Sequence, residues 1–266
     1  MTGYDYISSN IEALRRRVEA AAEKSGRKAS DIDIIAVSKT KPIEMIIAAT
    51  KSGLYRFGEN RAQELLEKQR AAEAYGIDTA ARVIVAEPRG CSSGSTGEAA
   101  DIDNGNAAGI EWHFIGSLQT NKVRQIVGRT KLIHSLDRFE LADEIQRCAS
   151  KRGIVVDTLV QVNIAKEDSK SGFFHENIEE ILIKLSEMRN IRINGLMTIA
   201  PFVDDPEENR TFFRALNKIF VDMSMKKMDN VNMAVLSAGM SNDFEVAIEE
   251  GANMVRIGTS VFGERI

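Results

Sequence analysis

Apolar positions follow two alternating patterns along the chain: short continuous runs, and longer stretches in which they recur three and four positions apart. In the first long stretch, Ser9 and Glu12 have the spacing of a capping box, which predicts a helix over 9–24. The first short run, over 32–38, predicts a buried strand. Pro42 then predicts the start of a second helix, because a missing N–H leaves no bond unmade at that position.

The same unit of strand and helix repeats along the rest of the chain. The predicted strands lie at 32–38, 54–58, 112–116, 131–135, 155–164, 191–198, 233–237 and 253–257. Helical patterns lie between them, at 42–53, 61–75, 121–127, 137–152, 176–188, 206–227 and 242–250. Buried strands that alternate with helices favour right-handed crossovers and a parallel sheet. Eight such units in roughly 235 residues predict an α/β fold, a single (β/α)8 TIM-type barrel with an extra N-terminal helix. An open doubly wound sheet is the alternative.

One segment, 77–110, interrupts the alternation. Its centre, 89–109, has few large apolar residues and many glycines, serines, asparagines and aspartates. Such a composition buries too little surface to hold a fixed conformation. We therefore predict a flexible insertion at 77–110 within one domain that spans 1–266.

Composition and charge narrow the class of protein. Hydrophobic residues make up 43% and charged residues 28%, which is typical of a globular chain with a core. A net charge of −4 argues against general binding of nucleic acid. No apolar run approaches the roughly 18 residues of a membrane span, and the polar start of the chain has no secretory pattern. We therefore expect a cytoplasmic protein that binds neither nucleic acid nor membrane, and a monomer because no heptad pattern is present.

The candidate chemistry follows the predicted strands, because their carboxyl ends form the active face of a barrel. Two cysteines and three histidines are too widely spaced to predict a disulfide framework or a metal site. Lys39 comes directly after the first strand, so we expect its amine at the barrel mouth. Burial lowers the pKa of a lysine and makes its amine a nucleophile toward aldehydes. The competing interpretation is a solvated loop lysine.

Small residues with N–H groups and hydroxyls follow the seventh and eighth predicted strands, at 237–241 and 258–259. Each of these loops begins a helix, and helix N-termini in those two loops of a barrel commonly hold a phosphate. A nucleophilic lysine that faces a phosphate site indicates a phosphorylated aldehyde as the ligand. Pyridoxal phosphate fits this description, and so does the sugar phosphate of a Schiff-base aldolase that uses no cofactor.

Seven motifs, in order along the chain, resemble those of the pyridoxal phosphate homeostasis proteins, the YggS/PROSC family. They are AVSKTKP at 36–42, FGENRAQE at 57–64, WHFIGSLQTNK at 112–122, HSLD at 134–137, QVNIAKEDSKSGF at 161–173, GLMTIAP at 195–201 and LSAGMSNDFEVAIEEGANMVRIGTSVFG at 236–263. Together they extend over nearly the whole chain outside 77–110. The fold of that family resembles the barrel domain of alanine racemase, which implies the same fold here.

The resemblance also implies roles for individual residues. Lys39 would form an internal aldimine with pyridoxal phosphate. The phosphate group would be held by Ser237, Gly258 and Thr259, in the two loops described above. Arg256 would lie beside the pyridine nitrogen. Two further residues would line the cofactor pocket, Asn60 and Met197.

Arg256 bears on the chemistry that the resemblance implies. A permanent positive charge beside the pyridine nitrogen disfavours its protonation and weakens the ring as an electron sink. Alanine racemases add a tyrosine from a second domain, and we expect none to follow the eighth strand here. We therefore expect a protein that holds pyridoxal phosphate for homeostasis or for transfer to apo-enzymes, with little or no catalysis of its own. The alternative is a small pyridoxal phosphate-dependent amino-acid racemase or a related fold-type III enzyme.

Overall fold

The computed structural model describes residues 4–79, 84–85, 109–167 and 170–264. In this part of the chain, the strands are β1 (Asp33–Val37), β2 (Arg56–Glu59), β3 (Ile84–Val85), β4 (Glu111–Phe114), β5 (Leu132–Leu136), β6 (Ile154–Asn163), β7 (Phe173–Phe174), β8 (Ile191–Met197), β9 (Val231–Ser237) and β10 (Met254–Ile257). The α-helices are α1 (Tyr6–Lys24), α2 (Ile43–Lys51), α3 (Ala62–Ala74), α4 (Val123–Ile126), α5 (Phe139–Arg152), α6 (Ile178–Ser186), α7 (Arg210–Ser224), α8 (Phe244–Glu249) and α9 (Thr259–Phe262).

Eight parallel strands close into a ring in the order β1, β2, β4, β5, β6, β8, β9 and β10. The ring is completed between the last strand and the first, where Arg256 of β10 is paired with Ile35 of β1. The (β/α)8 barrel is therefore confirmed, and the open doubly wound sheet is wrong. All eight predicted strands are present, with small shifts at their ends.

The predicted start of the first helix is wrong. The helix α1 begins at Tyr6, so Ser9 lies inside it and does not form a capping box with Glu12. The reason is tertiary, because Ile7 is fully buried and extends the apolar stripe by one turn toward the N-terminus. The helix packs on α8 and α9, and the Tyr6 hydroxyl donates to the backbone oxygen of Phe262 at 3.3 Å.

Most of the predicted insertion, 77–110, lies outside the described residues. Its two ends meet, since the Ile110 N–H donates to the backbone oxygen of Asp78 at 2.7 Å. Within the segment, β3 pairs antiparallel with the start of β6, a contact that the sequence did not predict. The segment leaves and rejoins the barrel just before β4, at the amino ends of the strands and opposite the end where Lys39 lies.

The inside of the barrel has an apolar layer followed by a polar one. The apolar layer is a cluster of five buried side chains, Ile35, Leu132, Leu159, Met197 and Met254. Side chains two positions further along a strand face the same side of the sheet. Two positions after Leu132 and Met254, toward the carboxyl ends, the strands carry the buried residues His134 and Arg256. The polar layer therefore lies at the end of the barrel where sequence analysis predicted the site.

The space between the strands and the surrounding helices is filled by a larger core, in which Phe57, Trp112 and Phe114 are fully buried. The helices turn their apolar faces to this core, and none of those described is long and apolar enough to cross a membrane. The described residues also contain no group of three or more histidine, cysteine, aspartate or glutamate side chains that could hold a metal ion.

Candidate functional site

Lys39 lies in the tight turn that joins β1 to α2, and it is half-buried. It follows the last residue of β1 by two positions, so it lies at the carboxyl end of the strands, which forms the mouth of the barrel. The next residue, Thr40, has a φ of 64°, in the left-handed region. For a β-branched residue this conformation costs about 1–2 kcal/mol, so contacts with the rest of the protein must hold the turn.

The residue before Lys39 is anchored through both its backbone and its side chain. The Lys68 ammonium on α3 donates to the backbone oxygen of Ser38 at 2.6 Å. The Ser38 hydroxyl donates to Oε1 of Glu59 at 2.6 Å, and Lys68 donates to the same oxygen at 2.6 Å. Burial raises the pKa of Glu59, while the charge of Lys68 acts in the opposite direction. Ser38 is thus held by a buried ion pair.

The residue after Lys39 is held by the same group of charges. Glu64 accepts a hydrogen bond from the Thr40 N–H and another from Lys68 at 2.7 Å. Lys68 was not among the residues selected from the sequence. Its position contained a signal, because it lies three residues after Leu65, on the buried stripe of α3.

Buried side chains form a chain of hydrogen bonds across the barrel. His113 Nδ1 lies 2.9 Å from His134 Nε2, and His134 Nδ1 lies 3.2 Å from the Ser237 hydroxyl. Arg256 donates through Nη1 to that hydroxyl at 2.7 Å and through Nη2 to the backbone oxygen of Thr198 at 2.7 Å. These hydrogen bonds connect residues from four of the eight strands of the ring, β4, β5, β9 and β10.

Burial determines the charge of the side chains in this series of hydrogen bonds. It lowers the pKa of His113 to about 3, and the positive charges of Arg56 and Lys131 act in the same direction. Burial also places the pKa of His134 well below 6.5, with smaller contributions from His113 and Arg256. The pKa of Arg256 falls to about 10 for the same reason, which still leaves the guanidinium charged at neutral pH. Two neutral rings therefore adjoin one permanent cation.

The structure brings the other predicted site residues to the carboxyl ends of adjacent strands. Met197 ends β8 and is paired with Ser237, the last residue of β9. Gly258 and Thr259 follow β10 at the start of α9. Ser237 is fully buried whereas Thr259 is exposed, so the residues predicted for the phosphate lie at different depths.

Asn60 Oδ1 and His113 Nε2 are buried and have no hydrogen-bond partner among the described residues. Asn60 follows β2, and a Cβ at Gly116 would come within 2.3 Å of its backbone oxygen, so the close approach requires glycine. A buried polar atom without a partner is costly unless water or a ligand satisfies it. The amine of Lys39 and the charge of Arg256 suit a ligand that carries an aldehyde and an anionic group, whereas Asn60 Oδ1 only accepts and requires a donor from the ligand or from water.

Comparison with known proteins places the chain in a family. The family described as "Alanine racemase, N-terminal domain" matches residues 9–266. Among solved structures, a protein of Bifidobacterium adolescentis has a TM-score of 0.80 and 32% identity, over 96% of this chain and 94% of that one. Alanine racemase of Corynebacterium glutamicum has a TM-score of 0.63 at 13% identity, over 96% of this chain and 62% of that one, and shares the fold. The fold and the site thus define a barrel of the alanine racemase type.

Three further relatives identify the family of this chain more specifically. A protein of Aquifex aeolicus named pyridoxal phosphate homeostasis protein is 42% identical over 255 residues, 96% of each chain. A protein of Escherichia coli with the same name is 33% identical over 97% of each chain. PipY of Synechococcus elongatus, solved with pyridoxal phosphate bound, has a TM-score of 0.73 and 27% identity over 97% of this chain and all of that one. The chain belongs to the family of the pyridoxal phosphate homeostasis proteins.

Proposed function

We propose that this chain binds pyridoxal phosphate through Lys39 and takes part in pyridoxal phosphate homeostasis. The observation that carries the proposal is the position of Lys39, a half-buried lysine at the carboxyl end of β1 in a turn that buried ion pairs hold. The names of the relatives support it, and so does the PipY structure with pyridoxal phosphate bound.

The covalent bond would join the nitrogen of Lys39 to the aldehyde carbon of pyridoxal phosphate. The unprotonated amine adds to the carbonyl, both amine hydrogens pass to the oxygen, and one water leaves as the carbon–nitrogen double bond forms. Addition of water, or exchange with another amine, releases the aldehyde again. A reversible bond suits a protein that holds a reactive aldehyde and passes it to apo-enzymes.

The remaining site residues would hold the rest of the ligand. We assign Arg256 to the pyridine nitrogen, because it is a buried cation within the barrel. Ser237, Gly258 and Thr259 are assigned to the phosphate, since N–H groups and hydroxyls in these two loops suit an anion. Two residues would line the pocket, Asn60 and Met197. Pyridoxal phosphate itself supplies the aldehyde and the conjugated ring.

Little catalysis is expected from this arrangement. Arg256 stays positively charged, because its lowered pKa is still about 10, and a cation beside the pyridine nitrogen opposes protonation there. His113 and His134 are neutral and bonded to each other, which does not provide a charged acid beside the ring. The match to the alanine racemase family favours an amino-acid racemase as the second candidate.

An absorbance spectrum with added pyridoxal phosphate, taken before and after borohydride reduction, tests the proposal. We expect a visible band that reduction removes, and a phosphopyridoxyl mass on the peptide that contains Lys39. No band, or a label only on other lysines, would overturn the assignment. Incubation of the loaded protein with single L- and D-amino acids then separates the two candidates, because a racemase interconverts them and a carrier does not.

A further inference from the structure

We propose that Glu64 and Lys68 are positioning residues for Lys39: they hold the turn on both sides of it and so aim its amine at the aldehyde. The inference rests on the proposed function, because it concerns the same lysine. Neither residue touches the ligand in this proposal, and their effect is exerted through the backbone of the turn.

The contacts of the two residues are specific to that turn. Lys68 donates to the backbone oxygen of Ser38, immediately before Lys39, at 2.6 Å. Glu64 accepts from the N–H of Thr40, immediately after it. Glu64 and Lys68 are themselves joined at 2.7 Å, four residues apart on α3. The helix α3 therefore forms hydrogen bonds with the turn at two points, and Lys39 lies between them.

The cost of this arrangement indicates a purpose beyond helix packing. The Lys68 side chain is only 9% exposed, although it occupies a stripe that α3 otherwise fills mainly with apolar residues. It is compensated by Glu59, which is fully buried and whose Oε2 atom has no partner among the described residues. A buried ion pair of this kind is weak evidence for stability, since apolar residues of similar volume often stabilise a protein as well or better.

The hydrogen bonds from α3 oppose a rotation of the backbone at Thr40. A β-branched residue with a φ of 64° relaxes to negative φ when nothing holds it, and that rotation would turn the chain next to Lys39. The hydrogen bond from Thr40 to Glu64 opposes the rotation. Glycine adopts positive φ without steric cost, so with glycine at position 40 the turn would depend less on the hydrogen bond to Glu64.

The test compares variants of the full chain by titration with pyridoxal phosphate, followed by reduction and quantification of the label on Lys39. We expect Glu64→Ala to weaken imine formation by about tenfold, which corresponds to about 1.4 kcal/mol. Glu64→Gln retains an oxygen that accepts from the Thr40 N–H and should preserve most of the binding. The matched control is Glu67→Ala on the same helix, where the side chain is exposed and bonded to Gln63; it should bind like the wild type.

Adding Thr40→Gly to Glu64→Ala should restore most of the lost imine formation, without a matching recovery of the melting temperature. If Glu64 only stabilised the fold, Glu64→Ala would lose imine formation in proportion to its loss of stability, and Thr40→Gly would not restore imine formation. If Glu64→Ala does not fold, Glu64→Asp repeats the test, because it keeps the charge near Lys68 but is too short to reach Thr40. Wild-type binding by Glu64→Ala overturns the positioning role alone, whereas no imine in the wild type overturns the proposed function as well.

Discussion

Arg256 holds the hydroxyl of Ser237 at 2.7 Å, and this contact gives a direction to the hydrogen bonds across the barrel. A guanidinium only donates, so the Ser237 oxygen accepts, and its own hydrogen can be donated to Nδ1 of His134, or to a phosphate group when one is bound. In the first arrangement His134 donates through Nε2 to His113. The proton of His113 then lies on Nε2, the buried atom that has no partner among the described residues. Arg256, at one end of this series of hydrogen bonds, thus determines that the neutral His113 ring has an N–H donor at the other end.

Arg256→Met should destabilise the protein. The change leaves the Ser237 hydroxyl and the Thr198 backbone oxygen without the donor that each has at 2.7 Å. We expect the free energy of unfolding, measured with urea, to fall by about 2–6 kcal/mol, because each of the two unpaired buried polar groups costs about 1–3 kcal/mol. Arg192→Met is the control, since its ion pair with Asp157 is half-exposed. Equal losses in the two variants would contradict the assigned role of the buried contact.

The two histidines should make the protein less stable in acid. The pKa of His113 is about 3 in the folded chain and 6.5 in the unfolded chain. Below pH 6.5 the unfolded chain therefore binds more protons than the folded one. His134 acts in the same direction, because burial also lowers its pKa. Stability is therefore complete above 6.5 and falls as the pH drops toward 3, by up to about 1.4 kcal/mol per unit for each ring.

Urea titrations of the wild type and of His113→Gln, at several pH values in this window, measure the effect. The variant should show a flatter dependence on pH, even if its stability at neutral pH is lower. Glu59 acts in the opposite direction because its pKa is raised, but it contributes to both proteins and cancels in the comparison. Parallel curves for the two proteins would show that His113 is protonated equally in the folded and unfolded chain.

Loss of the hydroxyls assigned to the phosphate should weaken binding of pyridoxal phosphate. We expect Ser237→Ala and Thr259→Ala each to raise the dissociation constant by an amount that corresponds to about 1–3 kcal/mol. Only Ser237→Ala should also lower the melting temperature, because Thr259 is exposed. Ser224→Ala is the control, since that hydroxyl donates to the backbone of Val221 on the outside of the barrel. Unchanged affinity in the double variant would place the phosphate elsewhere.

Gly116→Ala should disturb the pocket at Asn60. The added Cβ would lie 2.3 Å from the backbone oxygen of Asn60, so that strand end has to move. Gly153→Ala provides the comparison, because Gly153 has a φ of 63° but no atom within 4 Å of an added Cβ. We expect it to cost only the conformational penalty, about 1–2 kcal/mol, and to leave binding intact. Gly116→Ala should weaken both stability and binding, which calorimetric titration and thermal unfolding would detect.

The fold could be predicted because each unit of the chain carries the same two-part pattern. A buried strand and a one-sided helix are local signals, and repetition of the unit leaves few topologies. The start of α1 could not be predicted in this way. The burial of Ile7 depends on contacts of α1 with α8 and α9, at the other end of the chain, whereas the capping pattern at Ser9 is visible locally.

Candidate site residues can be placed from the sequence where they follow strand ends, but contacts that depend on burial cannot be predicted in this way. Lys39 follows a strand, so its approximate place follows from the fold alone. Lys68 lies on the apolar stripe of α3, which indicates burial, but the ion pair that it forms with Glu59 depends on the fold and could not be predicted. His113 and His134 could be expected to form hydrogen bonds at strand ends, but their contact with each other at 2.9 Å could not be predicted, because they lie 21 residues apart in sequence and meet only since β4 and β5 are neighbours.

The backbone hydrogen bond between Asp78 and Ile110 holds together the two ends of the segment that separates α3 from β4. A folded domain inserted between these two ends would be carried by the barrel, while the hydrogen bond keeps the end of α3 close to the start of β4. Its attachment point lies at the amino ends of the strands, remote from Lys39. A fluorescent protein or an affinity module could therefore be inserted there while the mouth of the barrel stays accessible. Such an insertion would allow the protein to be followed during ligand exchange.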